Sequence, residues 1–447
     1  MRRIVFSLII TTLLIPAGLR AQDAMDPMPL SLQDAMDYAV KNNATAKNAR
    51  LDVKLQKAKN DEITGLAYPN ISGKGEFSDY LNPMQSFVPG EFIGMPGTFV
   101  PVTFTPKFQN TASVSGSQVL FDGSVMVALQ ARKAVMQLME TKANATEEDI
   151  RYNVQRAYYA LVASHRQLDI LNSSLKYLRS MLDDLKIAYK EGFVEKIEID
   201  RSQVSLNNLV TDSIRAENLM AVSVQVLNYQ MGMDINRPVI LTDSSVEDKI
   251  IEAQQMLSSE LDYNRRTDFM LLQNQLRLNQ YDLKRHKLSA VPSLAAFGSA
   301  SYMYASNNFK DLFKEQYVFF SLIGLQLKVP IFDGLQRHNR VKQARIEVDK
   351  TLNNIEYMKL GMDYQESSSK TTLKNALLAL ETQKRNVELA MEVLEMARKK
   401  YNAGVGSNLE VSQAQTEMIA AQANMFGATL DVVNASADLK KALGDFK

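Results

Sequence analysis

The chain has 447 residues, 23% of them charged, a formal net charge of +1 and no cysteine. A near-neutral balance gives no overall field that would favour nucleic acid. The lack of cysteine excludes a disulfide framework, a thiolate metal site and an N-terminal thioether lipid anchor.

At the N-terminus, Arg2 and Arg3 precede an apolar run over 4–15, followed by Pro16, Gly18 and Ala21. This is the layout of a secretory signal peptide over 1–21, with cleavage after Ala21. The run is too short for a membrane span, which needs roughly 20 apolar residues. A first helix is expected over 32–66, with Ser31 as N-cap and Asp34 three residues on as a capping box. Strands are expected over 70–80 and 107–121. Between them, 82–106 is rich in Pro and Gly and reads as a long surface loop.

After Gly123 a long helix runs toward Lys190. Its seam is Ile150, Val154, Ala157, Leu161, Ser164, Leu168, Leu171, Leu175, Leu178, Leu182, Leu185 and Tyr189. Steps of four and three alternate without a slip, which predicts left-handed supercoiling against a partner helix. Such a helix would be roughly 100 Å long at 1.5 Å per residue. Further strands are expected over 293–304 and 316–331, then a second long helix with the seam Leu373, Ala376, Leu380, Gln383, Val387, Ala390, Leu394, Ala397 and Tyr401.

The chain repeats itself. Phe121-Asp122-Gly123 returns as Phe332-Asp333-Gly334, Tyr189-Lys190-Glu191-Gly192 as Tyr401-Asn402-Ala403-Gly404, and Met231-Gly232 as Leu443-Gly444, at offsets of 211 or 212. Two tandem copies follow, 22–250 with strands about 69–121 and 251–447 with strands about 292–332. Each copy reads helix, strand, loop, strand, long helix, turn, helix.

The helices alone fit a free-standing coiled coil, but the strands argue against it. In 107–121, Gln109, Thr111, Ser113, Ser115 and Ser117 share one face, and Phe108, Ala112, Val114, Gly116 and Leu120 lie mostly on the other. In 316–331 one face carries Tyr317, Phe319, Ile323, Leu325, Leu327 and Val329. Runs of about ten or more residues suit tilted transmembrane strands. Tyr80, Phe108, Tyr302, Tyr304, Tyr317 and Phe319 stand where interfacial girdles would. Beyond the N-terminal run no long apolar stretch occurs, so membrane entry requires a closed barrel with every backbone polar group paired. Four strands cannot close one, so copies must share it. Two copies would give eight strands and a filled interior; three would give twelve and a pore.

At this point the sequence resembles the TolC-type outer-membrane efflux family, the outer membrane factors, over nearly its whole mature length. The carriers are Leu30-Ser31-Leu32-Gln33-Asp34-Ala35-Met36 with Asn42-Asn43, then Pro69 and Pro292 opening strands. Both Phe-Asp-Gly elements, both Tyr-x-x-Gly turns, Gly406-Ser407-Asn408-Leu409-Glu410-Val411 and Leu443-Gly444 follow. The resemblance implies a mainly α fold with a β-barrel portion. Three copies form a 12-stranded barrel in outer-membrane lipid, standing on a long periplasmic α-helical coiled-coil barrel. It implies a channel subunit of a tripartite efflux or type I secretion system, with a periplasmic adaptor (membrane fusion) protein and an inner-membrane efflux pump or ABC exporter as partners. Neither a cofactor nor nucleic acid is implied.

The Tyr-x-x-Gly turns are natural helix stops. In the family such tips meet the adaptor, which assigns docking to Gly192, Phe193, Val194, Gly404, Val405 and Gly406; on residue chemistry alone the glycines serve equally well as plain helix ends. Family members often close the periplasmic mouth with acidic residues after the second tip. The matching positions are Glu410 and Gln413, with Glu198 and Arg201 as first-copy counterparts. The usual pair is aspartates, so this chain departs from it at both positions. Three Glu410 side chains at a narrow mouth would repel one another and attract cations, and Arg201 beside a neighbouring chain's acid would latch it shut. Solvated helix residues are the bland alternative for all four. His165, His286 and His338 lack metal-ligand spacing. No nucleophile stands in a catalytic context, so no enzyme activity is expected. The competing reading is a periplasmic coiled-coil adaptor or tether without a membrane barrel.

Overall fold

A computed structural model describes residues 27–242, 247–313 and 317–446. The expected signal peptide lies outside them. In chain order, β1 (Met28–Leu30) leads into α1 (Leu32–Asn42) and α2 (Ala44–Gly65). Four strands follow: β2 (Asn70–Asp79), β3 (Gln85–Pro89), β4 (Phe99–Thr103) and β5 (Phe108–Phe121). Then come α3 (Gly123–Lys190), α4 (Lys196–Met231), β6 (Val239–Leu241) and α5 (Glu247–Met256). The rest is α6 (Thr267–Leu288), β7 (Ser293–Ser306), β8 (Val318–Lys328), α7 (Gln336–Asn402) and α8 (Asn408–Leu443). The long helices have 68 and 67 residues, and the two that follow them have 36 each.

Two units divide the chain, each drawing on both halves of the sequence. One takes 44–152, 254–375 and 435–447. It holds an antiparallel sheet in the order β2-β5-β7-β8. Residues directly opposite in such a sheet share a face, so the register assigns the faces. Ile71 stands opposite Gly116, Gly298 and Ile323 in turn, and Ala112 opposite Tyr302 and Phe319. That face also takes Val114, Ala296, Leu325 and Leu327, and it is apolar. The other face takes Ser72, Lys74 and Glu76 from β2, Thr111, Ser113, Ser115 and Ser117 from β5, Ser299 and Ser301 from β7, and Gln326 and Lys328 from β8. Phe297 and Met303 of β7 and Val318, Phe320 and Leu322 of β8 depart from this polar pattern. The apolar face meets solvent in the single chain: Ile323 is 91% exposed, and Leu325 and Leu327 are also exposed. β2 and β8 are the outer strands, each paired on one side only.

All four strands of this sheet meet their helices at the same end. There the Asp122 carboxylate accepts from the N–H groups of Ser124 and Val125, at 2.7 and 3.2 Å, capping α3. Asp333 accepts from the Arg337 N–H at 3.0 Å and its Nε at 2.8 Å before α7. The duplicated Phe-Asp-Gly thus converts strand to helix through its Asp. Below the sheet, Asn60 of α2 donates to the Arg132 carbonyl, Lys284 of α6 to Gln130, and Asn279 of α6 to Thr351 of α7. At the far end Phe77, Phe108 and Phe309 form a three-ring cluster with centroids 5.6–6.3 Å apart.

The second unit takes the described part of Met1–Asn43 with 153–253 and 376–434. Here the predicted seam is buried from Val154 to Leu185, apart from a half-buried Leu168. Leu171, Leu175, Leu178 and Leu182 of α3 share one core with Leu206 and Leu209 of α4, Leu394 and Ala397 of α7, and Val411, Ala414 and Met418 of α8. Tyr189 is exposed. β1 and β6 pair in parallel, and the Tyr158 hydroxyl donates to the Leu30 carbonyl at 3.1 Å.

Two expectations are corrected. The single helix over 32–66 is two helices, broken at Asn43, whose ψ is 135°. Its Nδ2 donates to the Gln230 carbonyl at 2.8 Å, and Gly232 packs on its Cα. The stretch 82–106 is no plain loop, because β3 and β4 form a hairpin within it. The Ser31–Asp34 capping box is present in both directions.

Gly232 has φ +70°, and an added Cβ would stand 2.8 Å from the Asn43 Cα. Gly192 has φ +80° with open space around it. Gly192→Ala should lose about 1–2 kcal/mol from the left-handed backbone alone. Gly232→Ala should lose distinctly more, because it also pushes the α1–α2 break away from α4. Thermal unfolding followed by circular dichroism compares the two; equal shifts would show that the Asn43 contact is slack.

Candidate functional site: the helix-turn tips

The turn from α3 to α4 and the turn from α7 to α8 are built alike. The Gly192 N–H donates to the Tyr189 carbonyl and the Phe193 N–H to the Ala188 carbonyl, at 3.0 and 2.9 Å. The Gly404 N–H donates to Tyr401 and the Val405 N–H to Lys400, at 3.0 and 3.1 Å. Both are Schellman closures with a left-handed glycine at C′. The closure throws the next side chain outward: Phe193 is 82% exposed and Val405 79%. Val194 is half-buried. Gly406 is held differently, since a Cβ there would come within 2.8 Å of Lys400 Cβ. Each tip therefore presents one large apolar side chain on a fixed backbone.

Behind the tips lies a polar cluster. Asn408 opens α8 and is only 4% exposed. Its Nδ2 donates to Ser202 Oγ at 2.9 Å and to Glu198 Oε2 at 3.2 Å, both on α4. Its Oδ1 is buried without a partner. Glu198 also accepts from Arg201 Nη1 at 3.3 Å. Tyr401 stands close by; burial first, then the charge of Glu198, raises its phenol above the usual tyrosine value. Deeper in the bundle, the Arg398 guanidinium lies 4.0 Å from the Tyr177 ring centroid while Nη2 donates to Gln415 at 3.0 Å. That arginine bridges α7, α3 and α8.

The four sequence-predicted mouth residues divide. Glu198 and Arg201 form a pair within α4 and join the Asn408 cluster. Glu410 lies exposed in the first turn of α8, where its N–H donates to Ser407 Oγ at 3.3 Å. Gln413 donates to Glu417 at 3.3 Å, so Glu410, Gln413 and Glu417 share one solvent-facing stripe. Glu417, Ser202 and Asn408 were absent from the sequence-based site. Ser202 carried a usable signal, because it occupies the seam position ahead of Leu206 and Leu209, where an apolar residue belongs. Of the histidines, His165 faces Asp169 at 3.3 Å and His286 faces Asp282 at 3.4 Å, both within single helices. No cluster suited to a metal ion occurs among the described residues.

Two helical hairpins with apolar knuckles and an amphipathic sheet bounded by β2 and β8 are the features the comparisons must account for. Residues 263–445 match the family model described as outer membrane efflux protein. That match spans about two fifths of the chain. Outer membrane protein TolC of Vibrio cholerae serotype O1 is 22% identical over 319 residues, covering 68% of this chain and 69% of the relative. The toluene efflux pump outer membrane protein TtgC of Pseudomonas putida is 19% identical over 399 residues, covering 87% and 78%. The crystal structure of CusC superposes with a TM-score of 0.71 at 16% identity, over 92% of this chain and 91% of CusC. The expected kinship with outer membrane factors therefore holds. The chain has the fold of those outer-membrane channels.

Removing Asn408 leaves the Ser202 hydroxyl and a Glu198 oxygen short of a donor in a closed space. Asn408→Ala should cost about 1–3 kcal/mol and loosen the second tip. Asn408→Asp should be worse, because it sets a carboxylate against Glu198. Amide hydrogen exchange over 400–412 checks this; protection equal to the parent in both variants would remove Asn408 as the strut of the tip.

Proposed function

We propose that three copies of this chain join their sheets edge to edge into a twelve-stranded barrel in the outer membrane, continued by a periplasmic helical barrel. The protein conducts solute outward as the outer-membrane channel of an efflux or secretion system. One observation carries the reading: a four-stranded sheet with one apolar face, one hydroxyl-rich face and two unpaired edges. A lipid-exposed sheet must have no open edge, and closed cyclic assembly removes both edges at once. The apolar face then meets lipid, and the Ser and Thr face lines a water-filled lumen. A coiled-coil tether would have no use for either face.

The two tips are the docking points for a periplasmic adaptor, with Gly192, Phe193 and Val194 on one and Gly404, Val405 and Gly406 on the other. Phe193 and Val405 supply apolar anchors of the kind that fill a partner's pocket. An inner-membrane pump or exporter beyond the adaptor drives transport. The chain itself carries out no covalent chemistry. Glu410 and Gln413, with Glu198 and Arg201 behind them, form the periplasmic mouth. The Glu198–Arg201 pair is internal to one helix, so Arg201 supports Glu198 within its own chain.

The test is a planar-bilayer recording of the detergent-purified protein, with its mass in detergent measured alongside. A trimer with discrete conductance steps is expected. Glu410→Ala should leave the trimer intact and weaken cation selectivity. A monomer that needs no detergent and carries no current would establish the tether instead.

A further inference from the structure

The connection between β2 and β5 has an unusual composition. Residues 81–106 contain one charged side chain, Glu91, whereas the 23% average would place about six there. Among its apolar side chains Leu81, Met84, Phe87, Phe92, Phe99 and Phe104 are all exposed, Phe92 at 81%. The segment is nonetheless built. Its base is pinched where the Tyr80 N–H donates to the Lys107 carbonyl at 2.7 Å, and Lys107 N–H donates to Asn307 Oδ1 at 3.1 Å. Phe87 stands opposite Pro101 and Phe99 opposite Pro89, so two Phe–Pro pairs occupy one face of the ribbon. The lone carboxylate is used inside the turn, where Glu91 Oε1 accepts the Gly97 N–H at 3.2 Å.

Such a surface needs a cover, and three covers compete. Water alone would leave six large apolar side chains wet on one hairpin, an arrangement that marks an interaction site. The acyl region of the membrane is unsuitable, because a two-stranded ribbon has unpaired backbone groups along both edges. Anionic lipid headgroups call for Lys or Arg, and 81–106 has neither. Other copies of the same hairpin fit all three constraints. Identical segments meeting at a symmetry axis bring like charges together, and this connection is nearly free of charge. The hairpin also springs from β2, the open edge at which the proposed trimer joins, and from the sheet end away from the helices.

We propose that the 81–106 hairpins of three subunits converge over the outer mouth of the barrel and form an apolar lid. The inference rests on the trimer reading above. The lid works by dewetting: an apolar constriction resists ions until it is parted. Phe87, Phe92, Met95 and Phe99 supply its contact surface. It is a second barrier, at the opposite end of the sheet from the helices, and it selects against small ions rather than by charge.

The native chain has no cysteine, so Phe92→Cys places one thiol per subunit at the turn. Mild copper-phenanthroline oxidation of the full-length trimer in detergent should link the hairpins rapidly. One thiol per chain around a three-fold axis allows a single bond, so about two of every three chains should run as disulfide dimers, a ceiling set by closed cyclic symmetry. Asn208→Cys, exposed on α4, serves as the control and should link far less. In bilayers, Phe87→Ser with Phe99→Ser should raise the time-averaged conductance several-fold, and oxidised Phe92→Cys should lower it until reductant is added. A trimeric mass with linking no greater than the control overturns the lid and leaves the trimer standing. Quenching of a bimane label at position 92 by brominated acyl chains also overturns it, in favour of lipid insertion. A monomeric mass overturns the trimer reading and the lid with it.

Discussion

Everything in this protein depends on the unpaired edges of one sheet. β2 and β8 each expose a row of N–H and C=O groups, and the sheet between them has an apolar face. In water such an edge is a template for uncontrolled pairing. In lipid each unpaired group costs several kcal/mol. On the proposed reading the single chain is an incomplete object in either solvent, and closure with copies of itself satisfies both. Because β2 and β8 run antiparallel, edge-to-edge joining continues the antiparallel order around the ring. That ordering places the Ile331, Phe332 and Leu335 patch of one chain beside the Leu66, Tyr68 and Ile71 patch of the next, all exposed in isolation. Leu335 has φ +65°, a left-handed conformation that a bulky residue adopts at a cost. Burial against the next subunit would contribute about 1.5–3 kcal/mol and offset it.

The helices inherit the same logic. Four strands enter or leave their helices at one end, so the proposed ring of sheets would carry a ring of helices with it. The seams pack α3, α4, α7 and α8 within one chain. Side chains left outside the core include Tyr357, Leu360 and Tyr364 of α7, which the proposed trimer would use for packing between chains. Stability of such an assembly is inseparable from subunit concentration. The tips are the exception, since Phe193 and Val405 stand on Schellman turns that are complete within one chain. They are preorganised for a partner of a different kind.

What the sequence made legible was local. Asp122 caps α3 immediately after its strand, and Gly192 ends it; both signals lie within a turn of the event, so the bounds of a 68-residue helix are readable. Strand faces were readable in β5, where polar and apolar residues alternate, and half-readable in β8, where Phe320 and Leu322 interrupt the polar side. The break at Asn43 was not, because it is fixed by the carbonyl of Gln230, 187 residues away. Nor was the β3–β4 hairpin, since Pro89, Pro96 and Pro101 read as loop punctuation, whereas Pro89 and Pro101 stand within its two strands and Pro96 in the turn between them. The same limit applies at the site. Glycine turns announce the tips, but the contact of Asn408 with Ser202 depends on the stagger of α8 against α4, across 206 residues. A register of that kind is set by the packed seams, and no local motif encodes it.

The distribution of charge then separates two tasks. On the polar face of the sheet, hydroxyls predominate, and the charges of Lys74 and Glu76 neutralise one another in a direct pair. Hydroxyls donate and accept without a fixed sign, so a lumen lined by them offers no strong binding site and holds a passing solute only weakly. Conduction requires that weakness. Discrimination by charge must therefore be made elsewhere, and the stripe of Glu410, Gln413 and Glu417 beyond the second tip has the exposed carboxylates to make it. A channel arranged this way can serve chemically diverse solutes, because selection is made where cargo is handed over by a partner and the barrel is left indifferent. The sparse charge of the 81–106 connection extends the same economy to the outer end: it excludes by dryness, which costs a large pumped solute little and a hydrated ion a great deal.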